Sequence, residues 1–179
     1  DYRAVIGMTE RSMGLSMNET DTSKLSKVAD KLQTIKDNIA VYDSDSPKSS
    51  LISGDCNVSY CWAAEIALAM EENPAIKIVF PEEGAYKFID NWAICKGAKN
   101  YDNAMKFINY MCDDKVAGKV IEEFPYLNVN QKAVEANEDY SKNEAKNIPS
   151  DVFEKGEFVS NLDTDTLKVY NDMWIKLKN

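Results

Sequence analysis

Residues 88–100 carry the most chemically specific pattern in the chain, because a carboxylate there lies between two aromatic side chains. The alternation predicts a strand over residues 88–94 that places Phe88, Asp90 and Trp92 on one side. A carboxylate held between rings suits an organic cation, since the acid supplies the countercharge and the ring faces supply cation–π contacts. The same pattern also fits an edge strand whose Asp90 points into water.

Trp62 and Glu65 form a second pairing of a ring and a carboxylate, at the junction of a predicted strand and a predicted helix. In open α/β sheets, ligands collect in the crevice beyond the carboxyl ends of the strands. These side chains are therefore candidates for the same cation site. The alternative interpretation places Trp62 in the core and lets Glu65 complement the helix dipole at the first turn.

Composition and charge limit the possible classes of function. The chain has 179 residues, of which 44% are hydrophobic, and a formal net charge of -9. This length allows one or two lobes with a core. The acidic charge argues against a nucleic-acid partner, which requires a basic surface, and suits a cationic ligand. No apolar run approaches the length of a membrane span, and we recognise no signal peptide at the start.

The histidine and cysteine content excludes several kinds of catalytic and metal site. The chain has 0 histidines, which removes Ser–His–Asp and Cys–His catalysis and His-ligated zinc. The 4 cysteines, at positions 56, 61, 95 and 112, contain no CxxC pair, which argues against a metal site. We expect free, mostly buried thiols, with a Cys61–Cys95 disulfide as the alternative, and we predict neither a metal nor a cofactor.

Hydrophobic periodicity predicts that helices and strands alternate through the first hundred residues, which indicates the α/β class. Helices are predicted over residues 2–13, from a cap at Asp21, over 46–54 and over 63–72. Strands are predicted over residues 39–42, 57–62, 76–80 and 88–94. Beyond residue 100 the pattern predicts helices alone, the last over 165–178. The apolar faces of these later helices have no sheet of their own.

Short motifs run through nearly the whole chain in a definite order. They are Asp-x-Arg-x-Val-Ile-Gly at 1–7, Tyr-Asp-Ser-Asp at 42–45, Leu-Ile-Ser-Gly-Asp at 51–55, Trp-Ala-Ala-Glu at 62–65, Phe-Pro-Glu-Glu-Gly at 80–84, Asp-Asn-Trp at 90–92, Lys-Gly-Ala-Lys-Asn at 96–100 and Thr-Leu-Lys-Val-Tyr-Asn-Asp-Met-Trp at 166–174. In order and spacing, the series resembles the second part of the substrate-binding proteins of spermidine/putrescine ABC importers.

This resemblance implies a periplasmic-binding-protein type II-like lobe, in which helices flank a central mixed sheet. Residues 1–92 would form the second, ligand-binding lobe, residues 93–148 a crossover and helices of the first lobe, and residues 149–179 helices that return to the second lobe. Most of the first lobe would be absent, so the helices after residue 100 would lack the sheet on which they pack. Their exposed faces favour self-association of the chain.

The resemblance further implies an extracytoplasmic solute-binding component, which binds putrescine or spermidine and delivers it to the permease subunits of an ABC transporter. The protein would lie in the periplasm or on the outer face of the cell membrane, as a lipoprotein or fused to a permease. It would not be an enzyme. The implied ligand-binding residues are Asp1, Trp62, Glu65, Phe88, Asp90 and Tyr126.

Two positions depart from the family pattern and leave the choice of polyamine open. Ala4 occupies a position where members often have Glu, and Val159 one where Gln can stand. The loss of a carboxylate at position 4 weakens the case for a third ammonium site. Two other interpretations of the chain are a hydrolase that uses Glu65 and Asp90 as its acid and base, and an acidic structural domain.

Overall fold

In a computed structural model the chain divides into two compact units, each assembled from segments that are distant in sequence. The structure describes the backbone of residues 1–179 and every side chain except that of Ser141. Unit 1 comprises Asp1–Asp45, Val79–Phe88 and Pro149–Asn179, and unit 2 comprises Ser46–Ile78 and Ile89–Ile148. The predicted division into lobes, with bounds at residues 92 and 148, is a different division from these two units and stays a prediction.

Helices make up most of the regular structure. In chain order, helices α1 to α9 are Tyr2–Ser12, Thr22–Ile35, Lys48–Ser53, Ala63–Glu72, Tyr101–Met111, Asp114–Glu123, Gln131–Ala136, Ser150–Lys155 and Thr164–Lys178. The 3-10 turns are Lys36–Asn38 and Tyr140–Lys142, and the strands β1 and β2 are Tyr86–Lys87 and Glu157–Phe158. The predicted helices over 2–13, 46–54, 63–72 and 165–178 agree with α1, α3, α4 and α9 within a few residues.

Side-chain caps explain where several helices begin. The Asp21 carboxylate accepts hydrogen bonds from the backbone N–H groups of Ser23 (2.8 Å) and Lys24 (3.3 Å), which confirms the cap predicted for α2. Asp113 caps α6 in the same way, through the N–H groups of Lys115 and Val116. Such bonds satisfy backbone donors that have no partner within the helix.

Unit 1 has a core formed by the apolar stripes of α1, α2 and α9. The residues of this core are Ile6, Leu25, Val28, Leu32, Tyr170, Met173 and Leu177. The three-and-four spacing within α2 and α9 places these side chains on one face of each helix, so the three helices can pack together.

The strands β1 and β2 pair in parallel within unit 1, with Tyr86 opposite Glu157 and Lys87 opposite Phe158. Gly84 leads into β1 with φ of 90°, and a Cβ added there would lie 2.2 Å from the Lys155 carbonyl oxygen. A side chain at this position would therefore prevent the pairing. The prediction of helices alone beyond residue 100 was wrong, because β2 follows α8.

The prediction of strands over residues 39–42, 57–62, 76–80 and 88–94 was wrong, because none of these segments forms a strand in the structure. Those segments carry no ladder in the structure, whose described sheet contains β1 and β2 alone. Strand-forming side chains suit a pleated surface, but a strand exists only where a neighbour completes its backbone hydrogen bonds. Val58 and Val79, in two of these segments, are 87% and 84% exposed.

The core cluster of unit 2 is smaller than that of unit 1. Its described core cluster consists of Ala117, Ile121, Ala133 and Tyr140, where α6 packs on α7. Helix α5 contributes no buried residue, and Phe107 on that helix is 50% exposed. The predicted self-association of the chain through these helices stays a prediction.

None of the described helices is both long and apolar enough to cross a lipid bilayer.

Candidate functional site

Unit 2 contains Trp62, Glu65, Asp90 and Tyr126 from the predicted ligand-binding set. Trp62 is the residue before α4, with extended backbone angles, and its carbonyl accepts the first bond of the helix from the Ile66 N–H at 3.1 Å. Glu65 lies in the first turn of α4, where its negative charge complements the helix dipole. The sequence therefore predicted the local setting of this pair, although the preceding strand does not form.

Tyr126 lies between α6 and α7, where its backbone is fixed on both sides. Its N–H donates to the Phe124 carbonyl at 2.8 Å, and its own carbonyl accepts from the Tyr140 hydroxyl at 3.2 Å. Burial raises the pKa of the Tyr126 phenol, and the negative charges of Glu65 and Asp90 raise it further. The ring therefore stays neutral at physiological pH and is in the electrostatic field of both carboxylates.

Asp90 lies in the irregular segment that precedes α5, and it is exposed. The neighbouring amide of Asn91 donates to the Ile89 carbonyl at 2.9 Å, a local bond that shapes the backbone around Asp90. Trp92 packs edge-to-face on Phe107, with 5.4 Å between ring centroids. The segment is therefore anchored to α5 through an aromatic pair, and the predicted strand alternation of residues 88–94 is not realised.

Glu65 has a partner that sequence reasoning missed. The Nζ of Lys48, the first residue of α3, lies 3.1 Å and 2.9 Å from the two carboxylate oxygens of Glu65. Both side chains are largely shielded, with exposed fractions of 23% and 15%. Lys48 is 17 residues from Glu65 in sequence, so the pairing depends on how α3 packs against α4.

The four cysteines are free thiols in the structure. Cys56 and Cys61 are partly buried, whereas Cys95 and Cys112 are exposed, so the expectation that most would be buried was wrong. Burial is the largest cause that raises the pKa of the Cys61 thiol, and the Glu65 charge adds to it while Lys48 opposes it. The thiol next to Trp62 is therefore protonated at neutral pH.

Unit 1 contains the other two predicted residues, Asp1 and Phe88. The Oδ1 atom of Asp1 accepts hydrogen bonds from the N–H groups of Arg3 (2.8 Å) and Ala4 (3.3 Å), so this carboxylate caps α1. Phe88 directly follows β1 and is 36% exposed. It stacks on Tyr86 with 6.3 Å between centroids and 26° between the rings. Both residues thus have a structural role within unit 1.

A separate groove of about 1140 Å³ lies on unit 2 among α4, α6 and α7. Its lining contains both signs of charge, as in the ion pair between Lys146 Nζ and Glu71 Oε1 at 2.6 Å. None of the predicted ligand-binding residues lines this groove. Among the side chains that the structure describes, no group of three or more His, Cys, Asp or Glu is arranged to hold a metal ion.

Comparison with known proteins places the chain in a family. Residues 6–148 match the family model of the bacterial extracellular solute-binding proteins. The chain belongs to this family.

Three relatives of this solute-binding chain illustrate the match. The spermidine/putrescine-binding periplasmic protein of Salmonella typhimurium is 28% identical over 179 residues, which cover 99% of the chain and 51% of the relative. The spermidine/putrescine-binding periplasmic protein 1 of Haemophilus influenzae is 32% identical over 136 residues, which cover 76% of the chain and 38% of that relative. The structure of a spermidine/putrescine ABC transporter substrate-binding protein from Streptococcus pneumoniae gives a TM-score of 0.81 at 27% identity, covering 99% of the chain and 55% of that structure.

These comparisons confirm the resemblance inferred from the motifs and the type II-like periplasmic-binding-protein fold class. They also confirm the extracytoplasmic localisation, because the family is extracellular and its named relatives are periplasmic. At the level of the family, the relatives are binding proteins of transporters and not enzymes. The chain spans about half the length of the Salmonella relative, of which it covers 51%.

Proposed function

We propose that this solute-binding chain is part of the extracytoplasmic component of an ABC importer, and that its ligand is a polyamine such as putrescine or spermidine. The observation that carries the proposal is the exposed carboxylate of Asp90, whose negative charge acts on the partly buried phenol of Tyr126 in the same unit. The same unit places Trp62 one turn before Glu65. The relatives named above bind spermidine and putrescine, which supports the same ligand class here.

The chemistry of a polyamine matches these side chains. A polyamine is a series of ammonium groups separated by methylenes, so its recognition requires acids at intervals and aromatic walls between them. A charge-assisted hydrogen bond to an ammonium contributes roughly 1.5–3 kcal/mol. A cation–π contact contributes about 0.5–2 kcal/mol. On this proposal Asp90 supplies a countercharge, and Trp62 and Tyr126 supply aromatic walls.

Asp1 and Phe88 are proposed to contribute from unit 1. The hydrogen bonds that cap α1 both end at Oδ1 of Asp1, so its second carboxylate oxygen can accept a ligand ammonium. Phe88 keeps a partly exposed ring face beside Tyr86, which suits the methylene segment of a ligand. The net charge of -9 also favours the approach of a cationic ligand.

The proposed partners are the permease subunits of the transporter, which receive the ligand after release. Because an importer subunit binds its ligand without consuming it, the protein should leave added polyamine chemically intact. Recovery of unchanged putrescine after prolonged incubation, measured by mass spectrometry, separates this function from a hydrolase that uses Glu65 and Asp90.

Calorimetric titration of the protein, produced over the full length that its gene encodes, with putrescine and spermidine tests the proposal. Asp90→Ala removes the countercharge and should weaken binding by about 30-fold to 1,000-fold. Glu72→Ala is a matched control, because it removes an exposed acid from the same unit and should change affinity less than about threefold. Binding by Asp90→Ala within threefold of the wild type would remove Asp90 from the site.

A further inference from the structure

The ion pair between Lys48 and Glu65 places a lysine ammonium where a ligand ammonium would be expected. Lys48 Nζ contacts both carboxylate oxygens of Glu65, at 3.1 Å and 2.9 Å. A lysine side chain ends in a primary ammonium on a methylene chain, which is the same chemical group as the end of a polyamine. Glu65 therefore already has, within the protein, the partner that a ligand would offer.

The surroundings of this pair connect it with the proposed binding residues. The charge of Glu65 raises the pKa of the Cys61 thiol, whereas the charge of Lys48 lowers it, and Cys61 directly precedes Trp62. The negative charges of Glu65 and Asp90 also raise the pKa of the Tyr126 phenol. The exposed fractions of 23% for Lys48 and 15% for Glu65 mean that water screens the pair only in part. The negative charge of Glu65 therefore acts on Tyr126, a residue that we propose contacts the ligand.

A ligand ammonium that approached Glu65 would meet the positive charge of Lys48 at the same carboxylate. Two ammonium groups on one carboxylate repel each other, and the ligand would also have to displace one arm of a two-oxygen contact. Asp90 lacks such a partner among the ion pairs of the described side chains. Asp90 is therefore the predicted ligand-binding acid of unit 2 that remains open to a ligand.

We infer that Lys48 is a specificity-determining residue, which neutralises Glu65 and thereby disfavours ligands with a third ammonium group relative to diamines. This inference rests on the proposed polyamine function. With Glu65 occupied by Lys48, unit 2 offers a ligand one carboxylate of the predicted set instead of two, which disfavours a ligand that needs the additional countercharge. Position 4, which is Ala in this chain, supplies no additional carboxylate.

The test compares putrescine and spermidine affinities of the naturally encoded protein with those of Lys48→Met. The substitution keeps the length and apolar stem of the side chain and removes its charge. We expect the spermidine affinity to rise at least about tenfold and the putrescine affinity to rise less than about threefold. Lys48→Gln is the second variant, and circular dichroism confirms the fold of both. Lys77→Met, which removes an exposed lysine from the same unit, is the control for net charge and should change neither affinity.

The double variant Lys48→Met/Glu65→Gln separates a local effect from a general one. If the freed Glu65 carboxylate takes the third ammonium, the spermidine gain of Lys48→Met disappears in the double variant. The inference is overturned if both Lys48 variants keep the wild-type ratio of affinities, if Lys77→Met gives the same gain, or if the gain persists without Glu65. If the wild type binds neither amine, the proposed function itself fails and the inference with it.

Discussion

The two units use the same kinds of helix but differ in what those helices bury. In unit 1, α2 places Leu25, Val28 and Leu32 in a core shared with α1 and α9. In unit 2, α5 has an apolar stripe of similar spacing but no buried residue. Amphipathic spacing therefore predicts which face of a helix is apolar, whereas the burial of that face depends on a neighbouring element that packs on it.

The comparison predicts losses of very different size from the same kind of truncation in the two units. Leu32→Ala removes a side chain that is 0% exposed, and we expect it to lower the free energy of unfolding of unit 1 by about 2–5 kcal/mol. Met105→Ala in α5 removes a side chain that is 37% exposed, and we expect less than about 1 kcal/mol in unit 2. Urea unfolding combined with amide hydrogen exchange in α2 and α5 measures the two effects separately.

Equal losses from the two truncations would contradict the difference in burial between α2 and α5. A large loss from Met105→Ala would mean that α5 is covered in solution, for instance by a second copy of the chain. A concentration-dependent loss would point to such a second copy.

Unit 1 is also packed tightly enough to enclose a carboxyl group. Glu10 is 0% exposed, its Oε1 accepts a hydrogen bond from the Tyr170 hydroxyl, and its Oε2 has no hydrogen-bond partner among the described residues. The Arg3 guanidinium lies over the Tyr170 ring at 4.9 Å from its centroid. Burial raises the pKa of Glu10 to about 7, against the opposing effects of the Tyr170 bond and the Arg3 charge. The charges of Glu19 and Glu157 raise it further.

This buried carboxyl gives unit 1 a pH dependence with a definite sign. Because the pKa of Glu10 is higher in the folded state than its ordinary value of 4.5, folding favours the protonated form. Its contribution to stability is complete below pH 4.5 and is lost as the pH rises to about 7. We expect Glu10→Gln to become more stable relative to the wild type by up to about 3 kcal/mol between pH 4.5 and pH 8.

Thermal unfolding at a series of pH values measures this difference. Tyr170→Phe provides a comparison, since it removes the hydrogen bond that favours the ionised form and should shift the pH-dependent loss to higher pH. A stability difference between Glu10→Gln and the wild type that stays constant with pH would show that Glu10 is solvated in the folded protein.

The sequence predicted the helices of the chain far better than its strands. Helix signals are local: Asp21 provides a cap, Gly54 adopts φ of 81° at the end of α3, and the apolar spacing marks a face. A strand also needs a partner, and the partner of β1 lies about seventy residues further along the chain. The residues around Val58 and Val79 have strand-forming side chains without a paired neighbour, so their sequence alone was misleading.

The candidate site shows the same distinction between local and long-range information. The position of Glu65 in the first turn of α4 follows from local sequence, and so does the cap formed by Asp1. The ion pair of Glu65 with Lys48 depends on the packing of α3 against α4, which no local motif specifies. The roles of Trp62, Phe88 and Tyr126 toward a ligand stay predictions that rest on the family resemblance.

Removal of a helix cap has the smallest expected effect, and it shows whether the first turns of helices in the two units depend on their caps to the same extent. Asp21 in unit 1 and Asp113 in unit 2 make closely similar caps, each accepting two backbone N–H groups through one oxygen. Replacing either residue by Ala should speed amide exchange in the first turns of its own helix by a similar factor, about five- to tenfold. Hydrogen exchange followed by NMR measures both variants under identical conditions. A much larger factor for Asp113→Ala would mean that α6 depends on its cap because packing holds it less firmly, which would extend the contrast between the units from α5 to its neighbour. Similar factors would confine that contrast to tertiary burial, where Leu32 and Met105 already differ.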